Sequence, residues 1–388
     1  MSNIEVSVVM PCLNEEAGVG ICIKKIKDVF AREGIAGEII VADNGSLDRS
    51  VEIALAEGAV VVKEPKKGYG AAYIRGLREA KGKHIVIGDS DNSYDFFDIP
   101  AFLKKLDEGY DFVIGSRFKG GIKPGAMSWS HRYIGNPILS FMTRLFFRTK
   151  LSDIHCGMRA FTLDAYRAMA LQTTGMEFAT EMVVSALTKN LKVHEVPIHY
   201  YPRAGVSKLN SLKDAWRHMR FMLLYCPVWL YFIPGCIGIV SGIALLALLL
   251  PGPFLFLGHQ WDLHAMIFAS VICILSCQII STGIFAHALA IRNNYIKEDA
   301  IMRTISRYFN LERGLILGGL IFLIGLIMNI FIFAEWFSKY FGAFYRIRES
   351  VLAMTLLVIG LQTIFSSFFL SLIFMEETKV PPRSETYR

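Results

Sequence analysis

The sequence predicts an α/β domain with a mostly parallel sheet, followed by an α-helical transmembrane domain of four spans. Two observations carry this prediction. Up to about residue 117, short apolar runs of strand length alternate with segments of helical periodicity. From near residue 220 onward, long apolar runs take over, and four of them supply the roughly 20 apolar residues that cross a bilayer. At 388 residues, the chain has room for two or three domains.

Five strands are predicted in the amino-terminal domain, at residues 6–10, 38–42, 59–62, 84–87 and 112–117. The segments between them are predicted as helices because apolar residues recur at helical spacing, as Val19, Ile23 and Ile26 do after the first strand. Gly34 is predicted to end that first helix, and Ser46 is predicted to cap the next one. Strands that alternate with helices of this length predict a parallel sheet covered on both faces, in a strand order that the sequence leaves open.

An amphipathic helix is predicted at residues 211–229. Trp216 and Met219 lie on one helical face and Arg217 and Arg220 on another, which is typical of a helix in the membrane interface. The predicted domains are the amino-terminal domain at 1–210, this interfacial helix, a transmembrane domain at 230–375 and a tail at 376–388. The four spans are predicted at about 230–250, 264–291, 314–335 and 350–374.

Basic residues predict how the chain crosses the membrane. The loop between the second and third spans carries five of them, and the loop between the first and second carries none. The positive-inside rule therefore places the 292–313 loop, the amino-terminal domain and the carboxyl-terminal tail in the cytoplasm. Lys339, Arg346 and Arg348, between the third and fourth spans, run against this assignment. They fall on the side that the rule keeps poor in basic residues.

The charge and the cysteine content indicate which kind of partner the protein binds and which compartment its amino-terminal domain faces. The formal net charge of +7 could indicate nucleic acid, but the basic residues cluster near the apolar segments. This clustering favours an anionic lipid bilayer as the partner over nucleic acid. The seven cysteines show neither a disulfide framework nor CxxC spacing. The amino-terminal domain is therefore expected to face a reducing compartment.

Two carboxylates follow the fourth predicted strand. Asp89 and Asp91 alternate with Ser90 at its carboxyl end, where an open α/β sheet presents its ligand crevice. Carboxylates with hydroxyl and amide neighbours suit a hard divalent cation such as Mg²⁺ or Mn²⁺, which would also hold a diphosphate. The sequence thus predicts that Asp89 and Asp91 bind a metal ion.

Polar motifs also follow the first two strands, at residues 11–16 and 43–46. Their carboxylates could accept hydrogen bonds from a base and a ribose. Each motif alone is equally typical of a helix cap or a turn, but together with the acidic pair they favour a nucleotide site. The sequence contains neither GxxxxGK[ST] nor GxGxxG, which argues against a P-loop enzyme and a dinucleotide dehydrogenase.

Read in order, these motifs resemble those of family 2 glycosyltransferases with the GT-A fold, a Rossmann-like α/β fold with a mostly parallel sheet. The resemblance is to the polyprenyl-phosphate, or dolichol-phosphate, hexose synthase branch. It covers nearly all of residues 5–210, and the matching motifs lie at 8–16, 42–48, 68–72, 89–91, 115–117, 157–161 and 195–208. No single motif is decisive, whereas the ordered set is highly specific.

The resemblance implies an inverting, metal-dependent transfer of a hexose from a nucleotide-diphosphate sugar to a dolichyl or undecaprenyl phosphate. The residues predicted to contact the nucleotide are Pro11, Leu13, Asn14, Glu15, Asp43, Asn44, Lys67, Gly68 and Ser90. Those predicted to contact the diphosphate or the acceptor phosphate are Arg117, Arg132, Arg203, Ser207 and Lys208. Asp89, Asp91 and Arg117 are predicted to be catalytic. Arg132 is equally well interpreted as a loop charge, and residues 203–208 as a basic stretch attracted to anionic lipid.

Several alternatives remain at this stage. The run that follows Asp91 departs from that of the mannose-type members, which favours UDP-glucose over GDP-mannose as the donor. A processive polysaccharide synthase is expected to carry a Q-x-x-R-W motif, which is absent from the sequence. A lipid-carrier transporter with a non-catalytic cytoplasmic domain would show more charges within its spans. Gly314, Gly318 and Gly319 are candidates for contacts between spans, and a homo-oligomer is left open.

Overall fold

The computed structural model of the protein describes residues 4–205, 211–226, 228–292, 302–304, 310–342 and 346–374. The chain forms two compact units, which divide between Met222 and Leu223. The strands of the first unit are β1 (Val6–Cys12), β2 (Gly37–Asp43), β3 (Val60–Lys63), β4 (His84–Ile87), β5 (Phe112–Ser116), β6 (Arg159–Thr162) and β7 (Val193–Pro197). Its helices are α1 (Val19–Glu33), α2 (Ser50–Ala56), α3 (Tyr69–Glu79), α4 (Ile99–Asp107), α5 (Arg117–Gly120), α6 (Asn136–Phe147), α7 (Leu163–Met169) and α8 (Phe178–Thr188).

The sheet has seven strands in the order β3-β2-β1-β4-β6-β5-β7. Only β6 runs antiparallel to its neighbours, so the prediction of a mostly parallel sheet is confirmed. The central strands β4 and β5 are buried along their whole length, because helices cover both faces of the sheet. Strands β6 and β7 were not predicted. The first residue of β6 is a buried arginine, Arg159, which interrupts the apolar pattern that marks the other central strands.

The sheet topology brings the carboxyl ends of several strands to one edge. Cys12 of β1 pairs with Asp43 of β2, and β4 runs beside β1 in the same direction. Because β6 runs the other way, its first residue, Arg159, pairs with Ile87 at the end of β4. The segments that precede β6 and follow β1, β2, β4 and β5 therefore meet at this edge, where a doubly wound fold binds its ligands.

Helix α9 (Ser211–Tyr225) crosses the division and leads into the second unit. The helices of that unit are α10 (Ile233–Leu249), α11 (Leu263–Arg292), α12 (Leu311–Ser338) and α13 (Ile347–Phe374). A hairpin of β8 (Phe254–Phe256) and β9 (His259–Trp261) joins the first two. Within the described residues, four segments are long and apolar enough to cross a bilayer, namely Trp229–Leu249 and the whole of α11, α12 and α13, which confirms the predicted number of spans.

Small residues let the apolar helices approach one another closely. A Cβ atom at Gly360 of α13 would lie 2.5 Å from the backbone nitrogen of Phe322 in α12. A Cβ at Gly318 would lie 2.9 Å from the carbonyl oxygen of Gly360. The hydroxyl groups of Ser270 and Thr355 lie 2.6 Å apart and join α11 to α13. Close backbone contact and a hydroxyl bond between helices are the interactions that hold helices together in lipid.

Candidate active site

Asp89 lies just past the end of β4, where the buried Tyr73 and the partly buried Tyr69 hold its carboxylate. The hydroxyl groups of Tyr69 and Tyr73 donate to its Oδ1 at 3.0 and 3.4 Å. Both tyrosines lie on α3, four residues apart, and therefore on one face of that helix. A Cβ atom at Gly157 would lie 2.9 Å from Asp89 Oδ2, so only glycine leaves room for the carboxylate here. Burial and the nearby charge of Asp91 raise the pKa of Asp89 to about 7.

Asp91 is held by the turn that it begins. Its Oδ1 accepts hydrogen bonds from the backbone nitrogen of Ser93 at 3.0 Å and from the Ser93 hydroxyl at 2.5 Å. Asn92 adopts a left-handed conformation with φ of 61°, which asparagine tolerates better than most residues. Ser90 turns the other way, and its hydroxyl donates to the carbonyl oxygen of Pro11 at 2.6 Å. This leaves Oδ2 of Asp91 to face Arg203.

Arg203 connects the acidic pair to the end of β1. One of its terminal nitrogens lies 2.8 Å from Glu15 Oε1 and 3.6 Å from Asp91 Oδ2. The backbone holds it there, because the nitrogen of Ala204 donates to the Asp91 carbonyl oxygen at 2.8 Å. All three side chains are at most one-quarter exposed. The Arg203 guanidinium thus bridges Glu15, which is predicted to contact the nucleotide, and Asp91, which is predicted to bind the metal ion.

The loops after β1 and β2 hold each other in place. Asp43 accepts from the backbone nitrogens of Gly45 and Ser46 at 3.2 and 3.0 Å. The side-chain oxygen of Asn14 accepts from the backbone nitrogen of Leu47 at 2.7 Å. The backbone nitrogen of Glu15 donates to the Ser50 hydroxyl at 2.8 Å. These contacts hold together the loops that follow β1 and β2. Pro11 lies at the end of β1, and Leu13 comes directly after that strand.

Asn44 and Gly68, both predicted to contact the nucleotide, bond to other parts of the protein. The Asn44 amide group donates to the carbonyl oxygens of Glu64 and Lys66 at 2.9 and 2.8 Å, and accepts from the Gly68 nitrogen at 2.8 Å. The exposed Lys67 donates to the Asn44 carbonyl oxygen at 3.2 Å. A Cβ atom at Gly68 would lie 2.1 Å from the carbonyl oxygen of Thr174. In this structure the 64–68 segment is thus shaped by packing and internal hydrogen bonds.

Arg117 forms a buried ion pair that the sequence analysis did not identify. Its Nε and one terminal nitrogen donate to the two carboxylate oxygens of Asp153 at 2.7 and 2.8 Å. Its backbone nitrogen also donates to Asp153, at 3.0 Å. The guanidinium lies 5.2 Å from the centre of the Tyr200 ring. Arg117 therefore orders the segment that precedes β6, and its predicted contact with phosphate stays a prediction.

The other predicted phosphate ligands lie elsewhere or outside the described residues. Arg132 sits on the helical segment before α6, with its guanidinium 5.4 Å from the centre of the Tyr133 ring. No ion pair in the described parts of the chain joins it to Asp89 or Asp91. Ser207 and Lys208 fall outside the described residues. Among the predicted ligands that the structure describes, Arg203 is the one that contacts the acidic pair.

The residues present fit a divalent metal ion. Asp89 and Asp91 offer carboxylate oxygens, and burial together with the charge of Asp91 raises the pKa of Asp89, so a bound cation would favour the ionised form of the pair. Within the described ranges, no group of three or more His, Cys, Asp or Glu side chains could hold a metal ion. Mg²⁺ commonly binds through one or two carboxylates and takes its other ligands from substrate phosphates and water. Two carboxylates therefore suffice if the diphosphate completes the site.

Sequence reasoning missed the residues that support the acidic pair. Tyr69 lies inside the 68–72 motif and Tyr73 one turn later, and this spacing on a predicted helix was the available signal. Asp153 gave no such signal, because its partner, Arg117, lies 36 residues away in the sequence. Arg159 is fully buried and donates to three carbonyl oxygens, those of Ile154, Cys156 and Ala179. Only the folded chain shows these partners.

Two stretches of the chain match known protein families. Residues 7–169 match glycosyl transferase family 2, and residues 284–374 match the glycosyltransferase family 2 C-terminal transmembrane region. The low-salt glycan biosynthesis hexosyltransferase Agl6 of Haloferax volcanii is 37% identical over 367 residues, which are 94% of this chain and 88% of Agl6. Glycosyltransferase AglJ of the same organism is 35% identical over 210 residues, covering 53% of this chain and 66% of AglJ.

One similar solved structure is that of glucosyl-3-phosphoglycerate synthase from Mycobacterium tuberculosis in complex with Mn²⁺, UDP and glucosyl-3-phosphoglycerate. It is 23% identical in sequence, with a TM-score of 0.46. The matched region covers 57% of this chain and 80% of that one.

Proposed function

The chain belongs to glycosyl transferase family 2, and from this premise we propose that it transfers a hexose from a nucleotide-diphosphate sugar to a polyprenyl phosphate. The reaction inverts the anomeric carbon and takes place at the cytoplasmic face of the membrane. The product, a polyprenyl-phosphate hexose, is a lipid-linked sugar donor for glycan synthesis. The name of Agl6, a hexosyltransferase of glycan biosynthesis that aligns with nearly the whole chain, supports this choice.

The observation that carries the proposal is the bridge from Glu15 through Arg203 to Asp91. It links the end of β1, where the nucleoside is proposed to bind, to the acidic pair beside which the diphosphate is proposed to bind. A nucleotide-diphosphate sugar placed along this bridge would direct its sugar away from Glu15 and past Asp91. Tyr69 and Tyr73 fix the Asp89 carboxylate through their hydroxyl groups and keep it oriented.

The leaving group is a nucleoside diphosphate, whose charge grows as its bond to the anomeric carbon breaks. A Mg²⁺ or Mn²⁺ ion held by Asp89 and Asp91 would neutralise that charge. Arg203 would stabilise the same charge directly through a charge-assisted hydrogen bond. To do so, its guanidinium must share its donors between Glu15 and the diphosphate.

The acceptor oxygen belongs to a phosphate monoester, which carries about −1.5 to −2 charges near pH 7. This oxygen attacks the anomeric carbon from the side opposite the leaving diphosphate, and no proton has to be removed. We therefore assign no general base. Positioning and charge neutralisation by this chain's residues supply the rate enhancement.

The test uses the full-length protein in lipid nanodiscs with Mn²⁺, a short polyprenyl phosphate and a panel of radiolabelled nucleotide sugars. We expect label to move into the organic phase from one donor, with UDP-glucose favoured and GDP-mannose as the alternative. Asp91→Asn should abolish transfer. Asp164→Asn, on the exposed face of α7, is the matched control and should keep it.

Removal of the metal by a chelator should stop transfer and re-addition should restore it. If no donor gives lipid-soluble label while nucleotide still binds, the polyprenyl phosphate acceptor is wrong. Label that accumulates instead as a polymer would indicate a polysaccharide synthase.

A further inference from the structure

Two glutamines lie near the middle of membrane-spanning helices. Gln278 lies halfway along α11, and Gln362 lies just past the middle of α13. At a rise of about 1.5 Å per residue, each is about 18 Å or more from either end of its helix. The hydrocarbon core of a bilayer is about 30 Å thick. Both amide groups therefore lie deep among the lipid chains, where unsatisfied polar groups are costly.

Neither amide group is fully satisfied within the chain. A third amide in the spans, that of Asn329 in α12, donates to the carbonyl oxygen of Gly325 in its own helix at 2.9 Å. Gln362 Oε1, by contrast, is buried and has no hydrogen-bond partner among the described residues. Gln278 is exposed at the surface of the helical bundle. Lipid chains at this depth offer it neither donors nor acceptors.

The two glutamines border one groove between α11 and α13. Its volume is about 350 Å³. Phe285 and Phe369 line it two turns further along the same two helices, and their ring centres lie 4.7 Å apart. A hydrogen bond across the groove between the two amides would not satisfy them, because each carries two N–H donors as well as an acceptor. Donors of both residues would still face lipid.

The exposed face of α13 continues from this groove along the whole helix. We call this face the α13 seam, and it consists of Met354, Val358, Leu361, Phe365, Phe368 and Leu372. The intervals between these residues alternate between four and three, the spacing by which one helix packs along another at a small crossing angle. The opposite face is buried through Ala353, Gly360 and Leu370. Helix α13 thus has a second packing face besides the one that it uses within the chain.

A second copy of the chain is the partner that fits this face. Two copies inserted in the same direction are related by an axis along the bilayer normal, so each residue meets groups at its own depth. Amides at the midplane therefore meet amides, whose donors and acceptors are self-complementary. Residues 264–291 and 350–374 contain no lysine, arginine, aspartate or glutamate, so no like charges oppose the contact. Lipid chains could fill the groove but could not bond to its amides.

We propose that two copies of the chain associate in the membrane through α11 and α13. The α13 seam packs between the copies, and Gln278 and Gln362 form hydrogen bonds with the same residues of the second copy. These bonds fix the depth at which the two copies meet. The proposal rests on the four spans and does not depend on the reaction that the catalytic domain performs.

The first test is energy transfer between donor-labelled and acceptor-labelled full-length protein in liposomes, over a range of protein-to-lipid ratios. The double variant Gln278→Leu, Gln362→Leu should associate about tenfold more weakly than the parent, because it loses the hydrogen bonds between copies. Asn329→Leu is the matched control. It also removes an amide from a span, but one that bonds to its own helix, so association should change by less than about twofold.

Unchanged association of the double variant would overturn the proposal, and so would a parent protein that stays monomeric at every ratio. Circular dichroism of each variant checks that its helices are intact. If the double variant does not fold, the decision rests on the photo-crosslinking that follows, which keeps both glutamines.

Photo-crosslinking in the same liposomes distinguishes a second copy from lipid. Leu361→p-benzoylphenylalanine, on the α13 seam, should give covalent dimers. The matched control is Leu323→p-benzoylphenylalanine on α12, which should give lipid adducts. The two leucines are 45% and 50% exposed, and both lie near the middle of a span. Lipid adducts alone at position 361, or crosslinks from it to a different protein in native membranes, would contradict the proposal.

Discussion

Arg203 is the residue on which the proposed site depends most directly. It contacts carboxylates from two different loops and is about one-quarter exposed. Its replacement leaves Glu15 and Asp91 facing each other with no cation between them. At the same time it removes the direct partner that we propose for the diphosphate.

We expect Arg203→Ala to lower kcat/KM for transfer by about 10²-fold or more, the usual effect of losing one charge-stabilising donor. Steady-state assays with the preferred donor measure this. Arg167→Ala, at an exposed position on α7, is the control and should change kcat/KM little. A loss of less than about threefold in Arg203→Ala would show that the diphosphate is neutralised by other groups.

Tyr69 acts on the site through Asp89. Its hydroxyl stabilises the ionised carboxylate, so Tyr69→Phe should raise the pKa of Asp89 further above its ordinary range. A carboxylate that holds its proton more tightly binds a metal ion more weakly. We expect metal affinity to fall by about 10-fold, as when a group that supports a metal ligand is lost.

Titration of Mn²⁺ against nucleotide binding at pH 7 checks this expectation. Raising the pH to about 8.5 should recover much of the affinity, because Asp89 then ionises in the variant as well. Tyr166→Phe, on α7, is the control. An unchanged Mn²⁺ affinity in Tyr69→Phe would mean that Asp89 is not a metal ligand.

Among the structural elements, the 173–175 loop contacts the start of α3 through backbone hydrogen bonds. The backbone nitrogens of Gly70 and Ala71 donate to the carbonyl oxygens of Gly175 and Thr174 at 3.2 and 3.1 Å. Glu181 holds this loop by accepting from the Thr173 nitrogen and hydroxyl at 2.9 and 2.6 Å. The loop thereby fixes α3, and with it the tyrosines that hold Asp89.

Gly70→Ala should disrupt this contact, because its Cβ atom would lie 2.3 Å from the carbonyl oxygen of Thr173. We expect a loss of about 1–3 kcal/mol in the free energy of unfolding of the catalytic domain, the usual range for overpacking. Gly135→Ala is the matched control, since the nearest atoms there lie 3.7 Å from the added Cβ. Thermal unfolding followed by tryptophan fluorescence compares the two. Equal melting temperatures would mean that the 173–175 loop accommodates the added methyl group with no loss of stability.

Two histidines, the buried His218 and the partly buried His155, join α9 to the segment that precedes β6. The rings of His155 and His218 lie 4.5 Å apart, and Thr180 bonds to His218 Nδ1 at 2.7 Å. Burial lowers the pKa of His218 to about 4, with Arg159 and Arg217 adding to the effect. Burial, and then the charges of His218 and Arg117, lower the pKa of His155 well below its ordinary value.

These lowered pKa values predict a pH-dependent stability. In the unfolded chain both histidines bind a proton near pH 6.5, whereas the folded chain keeps them neutral. Stability should therefore fall as the pH drops from about 6.5 towards 4, by on the order of 3 kcal/mol for His218. His218→Gln should flatten this slope, and His199→Gln, at an exposed position, should not. Chemical denaturation at several pH values checks both variants, and equal slopes would contradict the interpretation.

At the scale of the whole molecule, the second unit explains the basic residues that ran against the predicted topology. Lys339 and Arg346 pair with Glu335 at 2.8 and 2.7 Å. Arg348 pairs with Asp262 and also donates to the carbonyl oxygen of Leu249 at 2.8 Å. The end of α10 and the starts of α11 and α13 therefore lie on one side of the helical bundle. These ion pairs offset the charge of basic residues on the side predicted to be external.

The predicted orientation can be tested with an impermeant maleimide on intact cells. Leu255→Cys, on the exposed strand β8, should be labelled from outside the cell. Leu47→Cys, fully exposed in the catalytic domain, should be labelled only after the membrane is permeabilised. The parent protein gives the background from its own cysteines. The reverse pattern would show that the catalytic domain lies outside.

Much of the structure can be predicted from the sequence, because the positions of strands, helices and spans depend on local patterns of residues. Apolar runs of strand and helix length determine the alternating elements and the four spans, since burial in a sheet or in lipid depends on composition and periodicity. Asp89 and Asp91 were identifiable because they directly follow a buried strand. The order of motifs along residues 5–210 identified the family.

Tertiary structure alone decided the partners of the charged groups. The antiparallel strand β6 brings Gly157 against Asp89, and Arg117 finds Asp153 across 36 residues. Arg203 reaches Glu15 across 188 residues because the 201–204 backbone pairs with the 91–93 segment. Such contacts depend on strand order and on loop paths, which periodicity does not encode. Composition, periodicity and motif order are enough to predict the class of protein and its acidic centre, whereas the fold determines which side chains stabilise that centre.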